Sequence, residues 1–306
     1  MEIIFVLQQV LILAVLMLVG YCSAKKNIIN EETSQGMTQI LINIALPALI
    51  LSSLNFSYSS ATIKWLTFMF IYSLSIHIFN IVIAKIMFRA FNKEVGSILE
   101  FGTVFANSGF MGLPLIFEFY GEKGVFYASM FMVPYYILLW TYGQNIISGE
   151  SKKFSIVKAI NNPVSIAIII GMLIFMLKIN LPYIVFKPLR MLASLTTPLS
   201  MLIIGEKMAK LKLKDIILDK KIYYGCFVRL ILLPIITYIL LTAISTPELL
   251  MEIVVIMQSL PTAILLIVFT QKYDGNVDLA LKFTIISHIL SIITIPIILA
   301  TTGMLR

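Results

Sequence analysis

Polar and helix-breaking residues cluster in the middle of one strongly apolar stretch, FANSGFMGLPLIFEF at residues 105–119. The cluster contains Asn107, Ser108, Gly109 and Pro114. Glycine permits unusual backbone dihedrals, proline removes a backbone donor, and Asn and Ser side chains offer replacement hydrogen bonds. These residue types predict an interrupted helix that presents neutral hydrogen-bonding groups to a small ligand.

A second stretch of the same kind, MQSLPTA, lies at residues 257–263. It contains Gln258, Ser259, Pro261 and Thr262. Lipid cannot satisfy the backbone groups that an interruption exposes, so an interrupted helix persists only inside protein or beside a water-filled cavity. Two interruptions at corresponding places indicate the binding site of a transporter. Ordinary Gly/Pro kinks in packed membrane helices are the alternative interpretation.

The two interruptions carry no titratable side chain, because residues 105–114 and 256–263 lack Asp, Glu, Cys and His. An enzyme would need a nucleophile and base, or paired carboxylates, at this depth. The sequence therefore predicts no enzymatic activity and no metal or cofactor site. Helix N-termini directed at the interruptions favour negative charge, so we expect a small organic anion, such as a mono- or dicarboxylate, as the ligand. A cation-coupled antiporter, a receptor or a channel of similar architecture is the alternative.

The elements that carry these residues are apolar enough for a lipid bilayer. The chain has 306 residues, 59% of them hydrophobic and 12% charged, and its mean hydropathy is +0.99. A soluble domain is typically about half apolar and a quarter charged. Apolar runs of bilayer length lie at residues 3–24, 36–54, 64–88, 98–119, 125–147, 163–180, 187–208, 222–243, 249–271 and 277–300. We therefore predict an all-α integral membrane protein with ten transmembrane helices, of which spans 4 and 9 are broken.

Basic residues between the apolar runs predict the orientation of the chain. With the N-terminus outside, most Lys and Arg residues fall in inward-facing segments, among them Lys25, Lys93, Lys152 and Lys214. We therefore predict a multi-pass protein of the cell (inner or plasma) membrane, with both termini outside and the 209–221 loop in the cytoplasm. The formal net charge of +8 has the same origin, so no nucleic-acid partner is expected.

Polar residues that precede prolines indicate internal repetition. Asn43 lies four residues before Pro47 in span 2, and Ser194 lies four residues before Pro198 in span 7. A helical proline frees the carbonyl four residues earlier. Five spans are an odd number, so two halves of five helices must have opposite orientations, as in many secondary transporters. We predict a first repeat at residues 1–147, a cytoplasmic linker at 148–162 and a second repeat at 163–306.

Three ionisable residues, His77, His288 and Arg229, lie inside the apolar spans and away from their ends, where such residues are functional candidates. His77 and His288 lie near the centres of spans 3 and 10; either carries a coupling proton or is a neutral His bonded between helices. Arg229, inside span 8, either attracts anions to an inner vestibule or extends to the headgroups. Glu206, beside Lys207 near the end of span 7, is expected to be solvated. Coupling to H⁺, coupling to Na⁺ and uniport all stay open.

Five segments, in order, resemble the auxin efflux carrier family, which includes plant auxin carriers and bacterial malate or malonate permeases. They are NIALPALILSSL, FANSGFMGLPLIFEFYGEKG, NNPVSIAIIIGMLI, VRLILLP and QSLPTAILLIVFTQKY, and the likeness covers essentially the whole chain. The resemblance implies two inverted five-helix repeats, each contributing scaffold and transport elements, with helices 4 and 9 crossing at prolines. It also implies that Asn107 contacts the substrate carboxylate, because the Asn that opens this motif does so in plant members.

The predicted binding site combines both interruptions, with the Asn107 amide on one wall and the polar residues of 257–263 on the other. The full predicted set is Asn43, Asn107, Ser108, Gly109, Pro114, Gln258, Ser259, Pro261 and Thr262. With access from alternate sides of the bilayer, this site would belong to a secondary transporter (permease) of small organic anions. A homodimer is compatible with the sequence.

Overall fold

The computed structural model of the protein describes residues 3–53, 60–149, 160–210 and 219–303, and the regular structure of these residues is helical. In chain order the helices are α1 (Ile3–Lys25), α2 (Glu31–Ser52), α3 (Ser60–Phe88), α4 (Lys93–Val104), α5 (Ser108–Ser148), α6 (Pro163–Met176), α7 (Tyr183–Ala209), α8 (Lys220–Ala243), α9 (Glu248–Ser259), α10 (Leu265–Lys272) and α11 (Val277–Thr301). The predicted all-α fold is confirmed.

Seven of the described helices, α1, α2, α3, α5, α7, α8 and α11, are long and apolar enough to cross a membrane. The helix α6 is apolar but shorter, and α4, α9 and α10 are short helices beside the interruptions. This pattern is that of an integral membrane protein, while the count of ten spans stays a prediction. The predicted 148–162 linker and 209–221 loop fall largely on residues 150–159 and 211–218, outside the described residues.

The long helix α5 folds back on itself at Gly121. This residue has φ 60° and ψ −152°, a conformation that costs glycine little and other residues much. The Tyr135 hydroxyl donates to the Ala106 carbonyl at 2.8 Å, so the second arm returns to the level at which the first arm starts. Residues 108–120 and 122–148 are therefore two arms, divided where the sequence predicts the turn between spans 4 and 5.

Wide π-helical turns precede three Leu-Pro pairs, those of Pro47, Pro114 and Pro234. Proline has no N–H for the carbonyl four residues earlier, and its ring clashes with that carbonyl. A turn widened by one residue moves this carbonyl away from the ring and lets the helix continue. The turns are Leu41–Ala45, Ser108–Gly112 and Val228–Leu232.

The helices pack into neighbouring groups. The helices α1 and α7 approach so closely that a Cβ at Gly205 would lie 2.1 Å from the Met17 carbonyl oxygen. Small residues permit such approaches between membrane helices. The helix α2 packs on α6 and on the first part of α7, whereas α3 packs on α5 and α8 packs on α9. The helices α2 and α7 also contact α5, and this boundary, which we call the seam, bears on the site described next.

Candidate functional site

The two interruptions cross each other and pair through their backbones. The helix α4 ends at Val104 and α9 ends at Ser259, and an extended segment follows each of them. The Asn107 N–H donates to the Pro261 carbonyl at 2.8 Å, and the Ala263 N–H donates to the Phe105 carbonyl at 2.9 Å. Each interruption thus satisfies backbone groups that lipid would leave unpaired. The predicted crossing of two broken helices is confirmed.

Arg229 occupies the side of the crossing where α4 and α9 end. Its side chain is fully buried, and its Nε donates to the Leu260 carbonyl at 2.9 Å. Its two terminal nitrogens donate to the carbonyls of Thr103 at 2.9 Å and Gln258 at 3.0 Å. The C-terminal ends of helices carry partial negative charge, so the guanidinium stabilises both ends at once. Because Arg229 is fully buried, it does not extend to the headgroups, and it is not among the lining residues of the cavities described below.

The helices α5 and α10 begin on the other side of the crossing. Over the described residues, the N–H groups of Gly109, Phe110, Ile264 and Leu265 make no backbone hydrogen bond. The first N–H groups of a helix lack intrahelical partners, and they carry the positive end of its dipole. All four residues line one cavity, so two positive helix ends meet there.

This cavity, which we call the crossing cavity, has a volume of about 360 Å³. Its deep end is formed by Asn107 and the two helix starts, and one wall is formed by Tyr135 and Tyr136 of α5. From there it follows the seam towards Lys207 near the end of α7 and Glu31 at the start of α2. Ligand sites in proteins commonly enclose about 300–1,000 Å³, so the cavity suits a small molecule.

A second cavity of about 240 Å³ lies along the same seam at the opposite ends of α2 and α7. We call it the Arg190 cavity, because Arg190 lines it and pairs with Glu122 at 3.0 Å. Ser52 of α2 and Pro114 of α5 also line it. The seam therefore contains two cavities, one towards each end of α2 and α7.

A wider cavity of about 450 Å³ lies between the end of α3 and the helices α4 and α5. Lys85, Arg89 and Glu100 are among its lining residues, and neither interruption contributes to it. It is consequently separate from the crossing cavity.

Comparison with known proteins identifies the family. A family model described as membrane transport protein matches residues 5–299. The chain belongs to this family of membrane transport proteins. The family is of the auxin efflux carrier type, so the resemblance drawn from the sequence is confirmed.

Two archaeal relatives of this transport family align along nearly their whole lengths. One, named an uncharacterized transporter, from Methanocaldococcus jannaschii, is 27% identical over 94% of this chain and 96% of its own. Another uncharacterized transporter, from Methanothermobacter thermautotrophicus, is 25% identical over 95% of this chain and 96% of its own. Their names state transport and give no substrate.

Within this transport protein, two of the predicted binding residues line the crossing cavity, namely Asn107 and Gly109. Ser108 is buried beside them without lining the cavity. Pro114 lines the Arg190 cavity instead. Asn43 lies on the exposed face of α2, where its amide donates to the carbonyl and side-chain oxygens of Gln39.

The polar residues of the second interruption point away from the crossing cavity and hold the crossing together. The Gln258 side-chain oxygen accepts a bond from Asn80 of α3 at 2.8 Å, and the Thr262 hydroxyl donates to the Gly102 carbonyl at 3.0 Å. The Ser259 hydroxyl donates to a carbonyl of its own helix. The predicted opposite wall is thus corrected: these side chains bond to neighbouring helices or to their own helix, and backbone groups face the cavity.

The two membrane histidines have the same internal bond and different neighbours. In both His77 and His288, Nδ1 lies 2.7 Å from the carbonyl oxygen four residues earlier. His77 packs against the rings of Phe131 and Tyr135. The Nε2 of His288 lies 2.9 Å from the Asn107 amide nitrogen, so only His288 directly contacts a residue predicted for binding.

A charged cluster at the Lys207 end is absent from the predicted set. Glu206 is buried, in contrast to the expectation that it is solvated, because it accepts a bond from the Ser34 hydroxyl at 2.9 Å and pairs with two lysines. Its carboxylate lies 3.2 Å from Lys207 and 3.0 Å from Lys210, and both lysines also contact Glu31. The spacing of Glu206 and Lys210 is the helical i,i+4 pattern that marks such a pair in a sequence.

The tyrosines of the cavity wall were also missed. Tyr135 is anchored by its bond to Ala106, whereas the Tyr136 hydroxyl lies only 3.4 Å from where a Cβ of Gly109 would stand. Tyrosines within an apolar run resemble the aromatic residues that membrane proteins place at the bilayer surface. Their sequence context therefore gives no sign of a binding wall.

Proposed function

We propose that this protein is a secondary transporter of small organic anions, with mono- or dicarboxylates such as malate or malonate as its substrates. The anion binds in the crossing cavity, and access alternates between the two sides of a cell membrane with both chain termini outside. The positive-inside pattern supports the orientation in which the crossing cavity opens to the cytoplasm.

The polarity of the crossing carries this proposal. The negative ends of α4 and α9 are occupied by Arg229, whose guanidinium bonds their carbonyls. The positive starts of α5 and α10 have free N–H groups and line the cavity. A cation would need the carbonyls that Arg229 already holds, whereas an anion meets unoccupied donors.

Further groups suit a carboxylate with a carbon chain. Asn107 and the Tyr136 hydroxyl supply neutral polar groups at the deep end. The side chains of Phe110 and Ile264 supply apolar contact, so a hydrophobic or aromatic acid also fits the lining. Lys207, held by Glu31 and Glu206, adds a cation near the other end that attracts anions.

Alternating access is supported by the seam. The two cavities lie between the same helices, α2 and α7 on one side and α5 on the other, and they occupy opposite ends. A shift of α5 and the crossing along α2 and α7 would widen one cavity while it narrows the other. Such a movement would carry the site as a rigid body relative to α2 and α7.

The test begins with thermal-shift measurements on the purified protein. Malate, malonate and an indole acid are compared with neutral amino acids and with Na⁺ and Mg²⁺ salts. Stabilisation that rises with carboxylate concentration is expected, since a ligand that binds the folded state raises the unfolding temperature. Stabilisation by cations or neutral amino acids alone would contradict an anion transporter.

Vesicle transport then separates a carrier from a channel or a receptor. Vesicles that contain the protein are loaded with unlabelled malate or left empty, and entry of labelled malate is followed. A carrier with alternating access exchanges substrate, so loaded vesicles should take up label faster than empty ones. Equal rates would indicate a channel, and no entry despite binding would indicate a receptor.

A further inference from the structure

We propose that His288 is the proton-binding site of this transporter, and that its protonation turns the Asn107 amide so that one proton binds with each anion. This inference rests on the proposed anion transport and specifies how the same site is coupled. It follows from the hydrogen bonds that link His288, Asn107 and the crossing cavity.

The hydrogen bonds of His288 determine its tautomer. Its Nδ1 lies 2.7 Å from the Thr284 carbonyl oxygen, which can only accept, so Nδ1 carries a hydrogen. In a neutral imidazole Nε2 then has a lone pair and must accept. Asn107 Nδ2, 2.9 Å away, is the donor that meets it.

This arrangement directs the acceptor of Asn107 away from His288. Among the described residues, Asn107 Oδ1 accepts no hydrogen bond, and Asn107 lines the crossing cavity. A free carbonyl oxygen at the deep end repels a carboxylate that approaches the helix starts. With neutral His288, the amide is therefore in its less favourable orientation for an anion.

A proton on Nε2 changes this atom from a hydrogen-bond acceptor to a donor. Both ring nitrogens then donate, so Asn107 must present Oδ1 to Nε2–H, and rotation of the amide frees both of its N–H bonds for the anion. The proton comes from hydronium of the buffered solvent, which is left as water, and it resides on Nε2. Its charge also offsets that of the carboxylate, and burial of an unpaired charge is costly. Anion and proton therefore favour each other's binding.

Other charged groups on the helices packed around α11 already have partners or lie towards helix ends. Arg229 of α8 is held by carbonyls of the crossing, and the Tyr135 hydroxyl of α5 donates to Ala106. On α11 itself, Asp278 pairs with Lys282. The remaining groups are Lys25 of α1, Lys93, Glu94 and Glu100 of α4, Lys187, Arg190, Glu206 and Lys207 of α7, Lys220 and Lys221 of α8, Glu248 and Glu252 of α9, and Lys272 of α10.

His77 provides a matched control. It is buried like His288, and its Nδ1 makes the same bond to a carbonyl four residues earlier. It lines no cavity that holds Asn107 and packs against aromatic rings instead. A change at His77 removes an equivalent imidazole without altering the contact to Asn107.

The experiment measures proton uptake on malate binding by calorimetry in pairs of buffers with different ionisation enthalpies. At about pH 6.5–8.5 malate is fully ionised, because carboxyl groups titrate near pH 4. At pH values at which His288 is neutral in the ligand-free protein, about one proton should be taken up per malate bound. The Kd for malate should then rise about tenfold for each pH unit. His288→Gln should abolish proton uptake and flatten the pH profile, because a Gln amide can accept or donate. His77→Gln should retain both.

The outcomes separate this inference from the proposed function. Malate binding without proton uptake, and with a flat pH profile in the unmodified protein, would overturn the coupling while leaving anion transport intact. Uptake that persists in His288→Gln would overturn the assignment to His288. Failure of every carboxylate to bind would overturn the proposed function and this inference together. If His288→Gln does not fold, the proton count of the unmodified protein still decides whether coupling exists.

Discussion

At the scale of the residue, Asn107 joins three features of the molecule. Its backbone N–H pairs the two interruptions, its side chain contacts His288, and it lines the crossing cavity. Asn43, the other asparagine of the predicted site, has its amide bonded to Gln39 on an exposed helix face. The same residue type therefore has different functions according to the groups around it.

We expect Asn107→Ala to weaken carboxylate binding about fivefold, because one hydrogen bond is worth roughly 1 kcal/mol. Asn107→Asp should weaken it further, since a second carboxylate repels the anion. Asn43→Ala is the control, and this variant should bind the carboxylate with the same affinity as the unmodified protein. Kd is measured by calorimetry on protein whose folding is checked by thermal unfolding. Unchanged affinity in both Asn107 variants would remove this residue from the site.

At the scale of the element, the broken helices persist because their backbone groups have partners. Two hydrogen bonds pair the extended segments, and Arg229 occupies the carbonyls where α4 and α9 end. Burial of a lone cation is costly, but here it is offset by several charge-assisted hydrogen bonds. One side chain from α8 therefore bonds to both helix ends at the crossing and stabilises them.

Replacement of Arg229 by Met should strongly destabilise the protein, because it leaves several buried carbonyls unpaired at about 1–3 kcal/mol each. Arg190→Met is the matched control. Arg190 is exposed and its pair with Glu122 lies near solvent, so its loss should cost under about 1 kcal/mol. Thermal unfolding in detergent measures both variants. A similarly small decrease in unfolding temperature for both variants would contradict the stabilisation of the crossing by Arg229.

At the scale of the whole molecule, two cavities lie along the seam between α2, α7 and α5. Both cavities follow the boundary between α2 and α7 on one side and α5 on the other. The fold-back at Gly121 lies at the Arg190 end, near the Glu122–Arg190 pair, whereas the basic 209–221 segment follows the end of α7. The two ends of the molecule should therefore face different compartments.

Single cysteines at the two ends test this orientation. Cys22 and Cys226 are first replaced by alanine, and Lys123→Cys and Lys214→Cys are made separately. In intact cells a membrane-impermeant maleimide should label the first variant, and the second should react only after permeabilisation, as the positive-inside pattern requires. Labelling of both from the same side would contradict the inverted-repeat topology.

The sequence by itself determined the class of the protein and the places where its helices break. Continuous apolar runs identify membrane helices, and Gly, Pro and Asn weaken a helix wherever they occur, so these properties depend on local chemistry alone. The all-α fold and the turn near Gly121 were predicted on this basis, whereas the crossing of the two interruptions was implied by the family resemblance. Asn107 was also identified from the interruption that contains it.

Only the tertiary structure decided which groups of the interruptions face the cavity. Gln258 and Thr262 have the same kind of polar side chains as Asn107, but they bond to α3 and α4, and the backbone donors at Ile264 and Leu265 take their place. The carbonyl groups that bond Arg229 could likewise be identified only from the tertiary structure, because they belong to the ends of two different helices. The physical reason is that a buried polar side chain bonds to whichever helix is packed against it. That neighbour comes from a distant part of the chain, and no local pattern specifies it.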